Sequence, residues 1–173
     1  RNVPFFNSST KHASQSFVTC LAAHPDGVRF AFGTEDKNVA ISTLARGGGS
    51  LVTLGQHADA VRCVAFNPDG SLLASGGDGQ NIFVWRTSEA NRFATQSQPP
   101  SSLIAFSIKT TNAVRGLAFH PTDGTIASAH LDGSVRLWNA MFSDGIWFRD
   151  ALWARKTHTA AVWSVAFSPR GRL

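Results

Sequence analysis

Hydrophobic residues in this chain fall into short runs of strand length, separated by polar turns that carry proline and glycine. The clearest stretch reads His57-Ala-Asp-Ala-Val-Arg-Cys-Val-Ala-Phe-Asn-Pro-Asp-Gly-Ser-Leu-Leu-Ala-Ser-Gly-Gly-Asp-Gly-Gln-Asn-Ile-Phe-Val-Trp85. Its first run, with Val61, Val64, Ala65 and Phe66, is nearly all apolar instead of strictly alternating. The turn that follows holds Pro68 and Gly70: proline pre-sets one dihedral, and glycine accepts a positive φ. A second apolar run comes next, and a third closes on Trp85. Strand, turn and strand are written three times, and the third copy closes on Trp138 as the second closes on Trp85. A fourth copy opens at His158. No stretch has the period of a long amphipathic helix. The polar, proline-containing stretch 87–102 reads as a surface loop. The pattern therefore predicts an all-β chain.

The copies keep a tight internal register. The turn prolines Pro25, Pro68, Pro121 and Pro169 are 43, 53 and 48 residues apart, so a fixed core alternates with variable loops. His57 precedes Phe66 by nine residues, as His158 precedes Phe167. Ser75 precedes Trp85 by ten, as Ser128 precedes Trp138. A chain built this way buries its core between repeats. Surfaces of such chains mostly hold partners.

The repeat resembles that of the WD-repeat family. The resemblance runs from about residue 14 to the end: strongest at 54–86 and 108–140, truncated at 152–173 and weak at 14–44. It implies a β-propeller of four-stranded antiparallel blades, present as an incomplete fragment of about three and a half blades. Strands covered on both faces by neighbouring blades account for the continuous apolar runs. First strands are expected at 17–23, 61–66, 114–119 and 162–167; second strands at 28–33, 72–76 and 125–129; third strands at 38–43, 81–86 and 134–139. Outer strands are expected near 50–54, 103–108 and 146–154. The expected blades are 14–54, 55–108, 109–155 and an opening piece, 156–173, with 1–13 as an outer strand of a preceding blade. Seven blades would take roughly 280 residues. The start on Arg1 and the end on Leu173 read as a fragment of a larger propeller. An open edge strand invites pairing, so the rest of the chain or a partner chain is expected to supply the remaining blades.

The same resemblance implies a hydrogen-bonded chain within each blade, made from a His, a Ser or Thr, an Asp and the Trp. His57, Ser75 and Trp85 match in the second blade, where the Asp position falls on Gly79. Ser128, Asp132 and Trp138 match in the third, where Thr110 takes the His position. In the first only Asp36 matches, with Phe32 and Ser42 at the Ser and Trp positions; His158 matches in the fourth. Family members bind proteins or peptides on the face formed by the loops entering the first strands and joining the second to the third. By register, the contact positions there are Arg62, Arg115 and Trp163, with Thr19 in the weak copy, and Glu35, Asp78 and Leu131. Arginine and tryptophan are typical anchors because they offer large area and fixed geometry.

Charge and candidate chemistry change this picture little. The net charge is +5, from 16 basic and 11 acidic residues, but the basic residues are spread singly apart from Arg155-Lys156. RNA contact is thus the second reading, with the C-terminal stretch 149–173 as its place. A Ser-His-Asp hydrolase triad is disfavoured, because the trio recurs in each blade with a tryptophan and no G-x-S-x-G elbow is present. Gly47-Gly48-Gly49 lacks the Lys-Ser/Thr of a phosphate loop. His24, His120 and His130 would have to join different blades to hold a metal, and neither a metal nor a cofactor is expected. Glu35-Asp36 reads as a turn and Asn7-Ser8-Ser9 as polar surface despite its glycosylation pattern. Cys20 and Cys63 share one repeat position, held by Gly116 and Ser164 elsewhere, so they are expected to be packed free thiols on different blades. With no signal peptide and no apolar run of membrane length, a cytoplasmic or nuclear protein is expected. Trp147 and Trp153 are expected on one face of an outer strand, packed between blades. The functional expectation is a non-catalytic interaction scaffold in a larger assembly. The alternatives are a ribonucleoprotein component or the regulatory propeller of a larger enzyme.

Overall fold

Each of the first three repeats folds into one four-stranded antiparallel sheet in the computed structural model, which describes residues 16–44, 49–88, 103–143, 146–148, 151–156 and 158–173. The first sheet holds β1 (Val18–Ala23), β2 (Arg29–Thr34), β3 (Asn38–Thr43) and β4 (Leu51–Gln56) in sequence order. The second holds β5 (Val61–Phe66), β6 (Leu72–Gly77), β7 (Asn81–Arg86) and β8 (Ile104–Lys109). The third is built from β9 (Val114–Phe119), β10 (Ile126–His130), β11 (Ser134–Trp138) and β14 (Ala151–Lys156). No helix among the described residues is long and apolar enough to cross a membrane. The segment 1–13, with the sequon at Asn7, and most of 87–102 lie outside the described residues.

Two strand expectations are corrected. Between β11 and β14 the chain forms a hairpin of β12 (Met141–Ser143) and β13 (Ile146–Phe148), which pair with each other and not with the blade. Closing so short a loop costs little entropy, so this segment satisfies its backbone locally. The outer strand is therefore β14 at 151–156, not 146–154, and Trp147 and Trp153 stand on different strands. Trp153 pairs with Leu137 at the register where Val52 pairs with Ile41 and Phe106 with Val84. Val52 and Phe106 are buried between blades, whereas Trp153 is 40% exposed. The second correction concerns 162–167, which carries no strand assignment. A strand is defined by its ladder, and no described strand pairs with this segment. It nonetheless lies against β9: a side chain at Gly116 would meet the Ser164 backbone, and Val162 N–H donates to His130 O at 3.0 Å.

The core sits between the blades. One cluster joins Ala31, Val39, Ile41, Val52 and Leu54 of the first blade to Val61, Val64, Leu73 and Trp85 of the second. The other joins Ala74, Ile82, Val84, Phe106 and Ile108 of the second to Val114, Leu117, Phe119, Ile126 and Trp138 of the third. Alternation along β7 divides its side chains: Trp85 faces back to the first blade, while Ile82 and Val84 face forward to the third. Trp85 fits because β4 has a glycine opposite. A Cβ at Gly55 would lie 2.8 Å from the Trp85 ring. That ring is buried and hydrogen-bonded, so it has little room to retreat. Gly55→Val is therefore expected to cost about 1–3 kcal/mol through overpacking. A urea midpoint equal to wild type would show that the ring moves freely.

Turn chemistry and bulges set the geometry of the two ends of each blade. Gly27, Gly70 and Gly124 close the first-to-second strand turns at φ of 70°, 75° and 75°. The aspartates beside them accept from backbone N–H groups that lead into the next strand, as Asp69 Oδ1 does from Ser71 N–H at 2.7 Å. At the other end, each first strand slips register once: between Val18 and Cys20, between Val61 and Cys63, and where His130 meets Val114 while Ala129 meets Gly116. The residues left unpaired are Thr19, Arg62 and Arg115. A bulge re-aims its extra side chain and is a common device beside functional surfaces.

Candidate functional site

The bulges bring the first-strand residues onto the acidic second-to-third-strand turns of the blade before. Arg62 reaches back to Glu35, donating from Nη1 at 2.6 Å and Nη2 at 3.2 Å. Its Nε and Nη2 donate to Asp78 Oδ2 at 2.9 and 2.7 Å. Arg115 Nη1 donates to the other oxygen, Asp78 Oδ1. Asp78 is thus shared by arginines of two blades, and Arg62 by carboxylates of two blades. The hydrogen bond from Arg62, with that from Arg115, holds the Asp78 carboxyl below its ordinary range against the opposing effect of burial. Arg115 Nε is buried and, among the described residues, has no hydrogen-bond partner. In the first blade Thr19 occupies the equivalent bulge, and its hydroxyl donates to Gly33 O at 3.0 Å.

Next to Arg115 the row meets an aromatic side chain. The Arg115 guanidinium lies 5.7 Å from the centroid of the Trp163 ring, in cation–π range. Trp163 is 68% exposed and Leu131 43%. Five of the seven expected contact residues, Glu35, Arg62, Asp78, Arg115 and Trp163, therefore form one connected row across successive blades. Leu131 stands in the third blade where Glu35 and Asp78 stand in the first two.

Inside the blades, the polar chains differ from one copy to the next. In the second, Trp85 Nε1–H donates to Ser75 Oγ at 2.8 Å, and Ser75 Oγ is 2.7 Å from His57 Nε2. In the third, Trp138 Nε1–H donates to Ser128 Oγ at 2.7 Å, and the imidazole is supplied by His130 at 2.8 Å. His130 Nδ1 faces Asn112 O at 3.4 Å. A carbonyl only accepts, so Nδ1 carries the proton and Nε2 accepts the hydrogen bond that the Ser128 hydroxyl donates. Thr110 instead donates to Asn112 O at 3.0 Å. The register puts Thr110 at the imidazole position of the third blade, although His130 follows Ser128 by two and so shares its face of the strand. Asp132 does not join the Trp138 chain through any hydrogen bond found; it accepts from Ser134 N–H at 3.0 Å and Arg136 Nη2 at 3.1 Å. In the first blade Thr34 Oγ1–H donates to Asp36 Oδ1 at 2.5 Å, while Phe32 packs beside Phe30. His158 is exposed, and its backbone N–H donates to Gly133 O at 3.2 Å.

Burial governs the titration of these groups. Desolvation lowers both His57 and His130 to about 4. Each imidazole is therefore neutral near pH 7. Ser75 and Ser128 are fully buried beneath their tryptophans, with no access for a substrate. Among the described residues no group of three metal-binding side chains occurs. His24 and His120 act as staples between blades: His24 Nε2 lies 3.1 Å from Gly70 O, and His120 packs edge-on to Phe167. Both cysteines are free, and burial raises both thiols. Cys63 donates weakly to Gly76 O at 3.5 Å.

Comparison with known proteins follows the same lines. The family model described as "WD domain, G-beta repeat" matches residues 6–41, 48–86, 102–139 and 151–173. No curated protein sequence matches the chain. Among solved structures, "Crystal Structure of Mitotic Checkpoint Complex" superposes with a TM-score of 0.71 at 25% identity, covering 90% of this chain and 44% of that one. "Crystal structure of RRP9 WD40 repeats" gives 0.70 at 22% identity, covering 88% and 42%. "Structure of U3-55K" gives 0.70 at 22%, covering 88% and 43%. The chain thus spans less than half the length of these structures.

Proposed function

The chain belongs to the WD-repeat family, and we propose that it works as a non-catalytic scaffold that holds protein or peptide partners in a larger assembly. The observation that carries this reading is the row from Glu35 through Arg62, Asp78 and Arg115 to Trp163. It runs along one end of three blades, fixed by bulges and crossed by ion pairs. Side chains held in one geometry lose little entropy when a partner arrives, which favours binding. One of the similar structures is that of an assembly, the Mitotic Checkpoint Complex, which supports the scaffold class.

The experiment is affinity capture from lysate with the intact protein, with and without nuclease, alongside a variant with Arg62, Arg115 and Trp163 all replaced by alanine. Proteins that survive nuclease and are lost from the variant, with a melt close to wild type, are the expected result. Undiminished capture by a folded variant would remove the rim from the function. Loss of all captured proteins on nuclease treatment would favour RNA. Phosphate contacts weaken steeply as salt rises, which gives an independent check.

A further inference from the structure

Glu35, Arg62, Asp78 and Arg115 alternate in sign across two seams, and each of the two inner charges is divided between two partners. Arg62 gives Nη1 and Nη2 to Glu35 of the first blade, and Nε and Nη2 to Asp78 of its own. Its Nη2 thus serves both carboxylates, at 3.2 and 2.7 Å. Asp78 is divided in the same way: Oδ2 accepts from Arg62, and Oδ1 accepts from Arg115 of the third blade. The register bounds the set at both ends. Thr19 stands where the first blade would carry an arginine, and Leu131 where the third would carry an acid.

A shared group answers to both of its partners. While Glu35 is charged, part of the Arg62 fork is held across the first seam, and Asp78 keeps more of its charge for Arg115. Without that charge, Arg62 is free to settle on Asp78 with its whole fork, and the field that Asp78 presents to Arg115 falls. Arg115 is well placed to register the change. Its side chain is 14% exposed, against 50% for Glu35, and partly buried pairs are screened less than surface ones. Among the described residues its salt bridge is to Asp78, and its Nε is buried without a hydrogen-bond partner.

We propose that this row is an electrostatic relay between seams: Arg62, shared by Glu35 and Asp78, makes the hold on Arg115 at the second seam depend on the charge of Glu35 at the first. Glu35 and Arg115 are not paired with each other, so the dependence runs through the two charges between them. The relay is a property of the chain itself and holds whichever surface a partner uses. Its consequence is that the first and third blades respond together to an event at either end of the row.

The test is a double-mutant cycle on the intact protein, read by urea denaturation at low salt. The variants are Glu35→Gln, Arg115→Gln and the pair, and the same three in an Asp78→Asn background. The pair's change in the unfolding constant is expected to fall short of the product of the single changes by about twofold or more. The shortfall should vanish in the Asp78→Asn background and shrink in about 1 M salt. Single changes that simply multiply would overturn the relay. A shortfall that survives Asp78→Asn would also overturn it, by showing a direct attraction between Glu35 and Arg115. Hydrogen exchange of the Arg115 Nε–H, followed by NMR, reads the same dependence in folded protein and needs only the exposed Glu35→Gln change. Exchange about twofold faster or more is expected there, and an unchanged rate would overturn the relay.

Discussion

Replacing Trp85 with alanine is expected to cost about 3–5 kcal/mol of stability, enough to unfold much of a marginal domain. The indole is 1% exposed and packs with Val61, Leu73, Val52 and Leu54 at the seam between the first two blades. Gly55 leaves the space that the ring fills, so no larger neighbour stands ready to close the cavity. The loss is also polar. Without the indole N–H, the Ser75 hydroxyl loses one of its two buried partners. Trp138→Ala is expected to cost a similar amount, since that ring is buried against the other cluster and bonds Ser128 in the same way. Trp85→Phe separates the two effects. It keeps most of the volume and should lose only about 1–3 kcal/mol for the unmet hydroxyl. Urea denaturation of the protein is the measurement. A cost below about 1 kcal/mol for Trp85→Ala would mean that the seam does not hold the blades together.

Acid is expected to weaken the fold well before its carboxylates titrate. His57 and His130 titrate near 4 when folded, against about 6.5 in an unfolded chain. Between those values the unfolded state binds protons that the folded state refuses, so stability rises with pH. The contribution is intact above about pH 6.5 and fades as pH falls toward 4, with about 2 kcal/mol lost per imidazole by pH 5. The cause is visible at His130: a proton on Nε2 would turn the acceptor of the Ser128 hydroxyl into a second donor in a sealed site. Asp26, Asp69, Asp78 and Asp132 act lower. Their carboxyls are held below the ordinary range, so their stabilisation is lost only as pH falls beneath about 4. Urea midpoints measured from pH 7.5 to 4.5 should fall in wild type and flatten in a His57→Asn/His130→Asn variant. Equal slopes in the two proteins would assign the acid sensitivity to other groups.

The candidate site was legible in its positions and not in its chemistry. Counting from His57 and from Asp36 is enough to single out Arg62, Arg115, Trp163, Glu35, Asp78 and Leu131, because the repeat imposes one register on every blade. The pairing of Arg62 with carboxylates of two blades is a contact between residues 27 and 16 positions apart. Nothing local announces it. It follows from the stacking of blades and from the bulges that turn Arg62 and Arg115 out of their ladders. His130 shows the same division: its place two residues after Ser128 is in the sequence, but its role depends on Thr110 leaving the imidazole position empty.

By itself, the sequence determined the repeat, the first, second and third strands of the first three blades, the glycine turns and the tryptophans that close the second and third blades. These depend on short-range chemistry: runs of apolar residues, proline and glycine dihedrals, and the two-residue period of a strand. Only the tertiary structure decided that 141–143 pairs with 146–148 and leaves 151–156 as the outer strand. It also decided that His130 bonds Ser128 and that Glu35, Arg62, Asp78, Arg115 and Trp163 form one connected row. Each of these is a choice among partners distant in the chain. Such choices are settled by which surfaces meet and which buried polar groups can be satisfied there, and a local pattern does not contain that information.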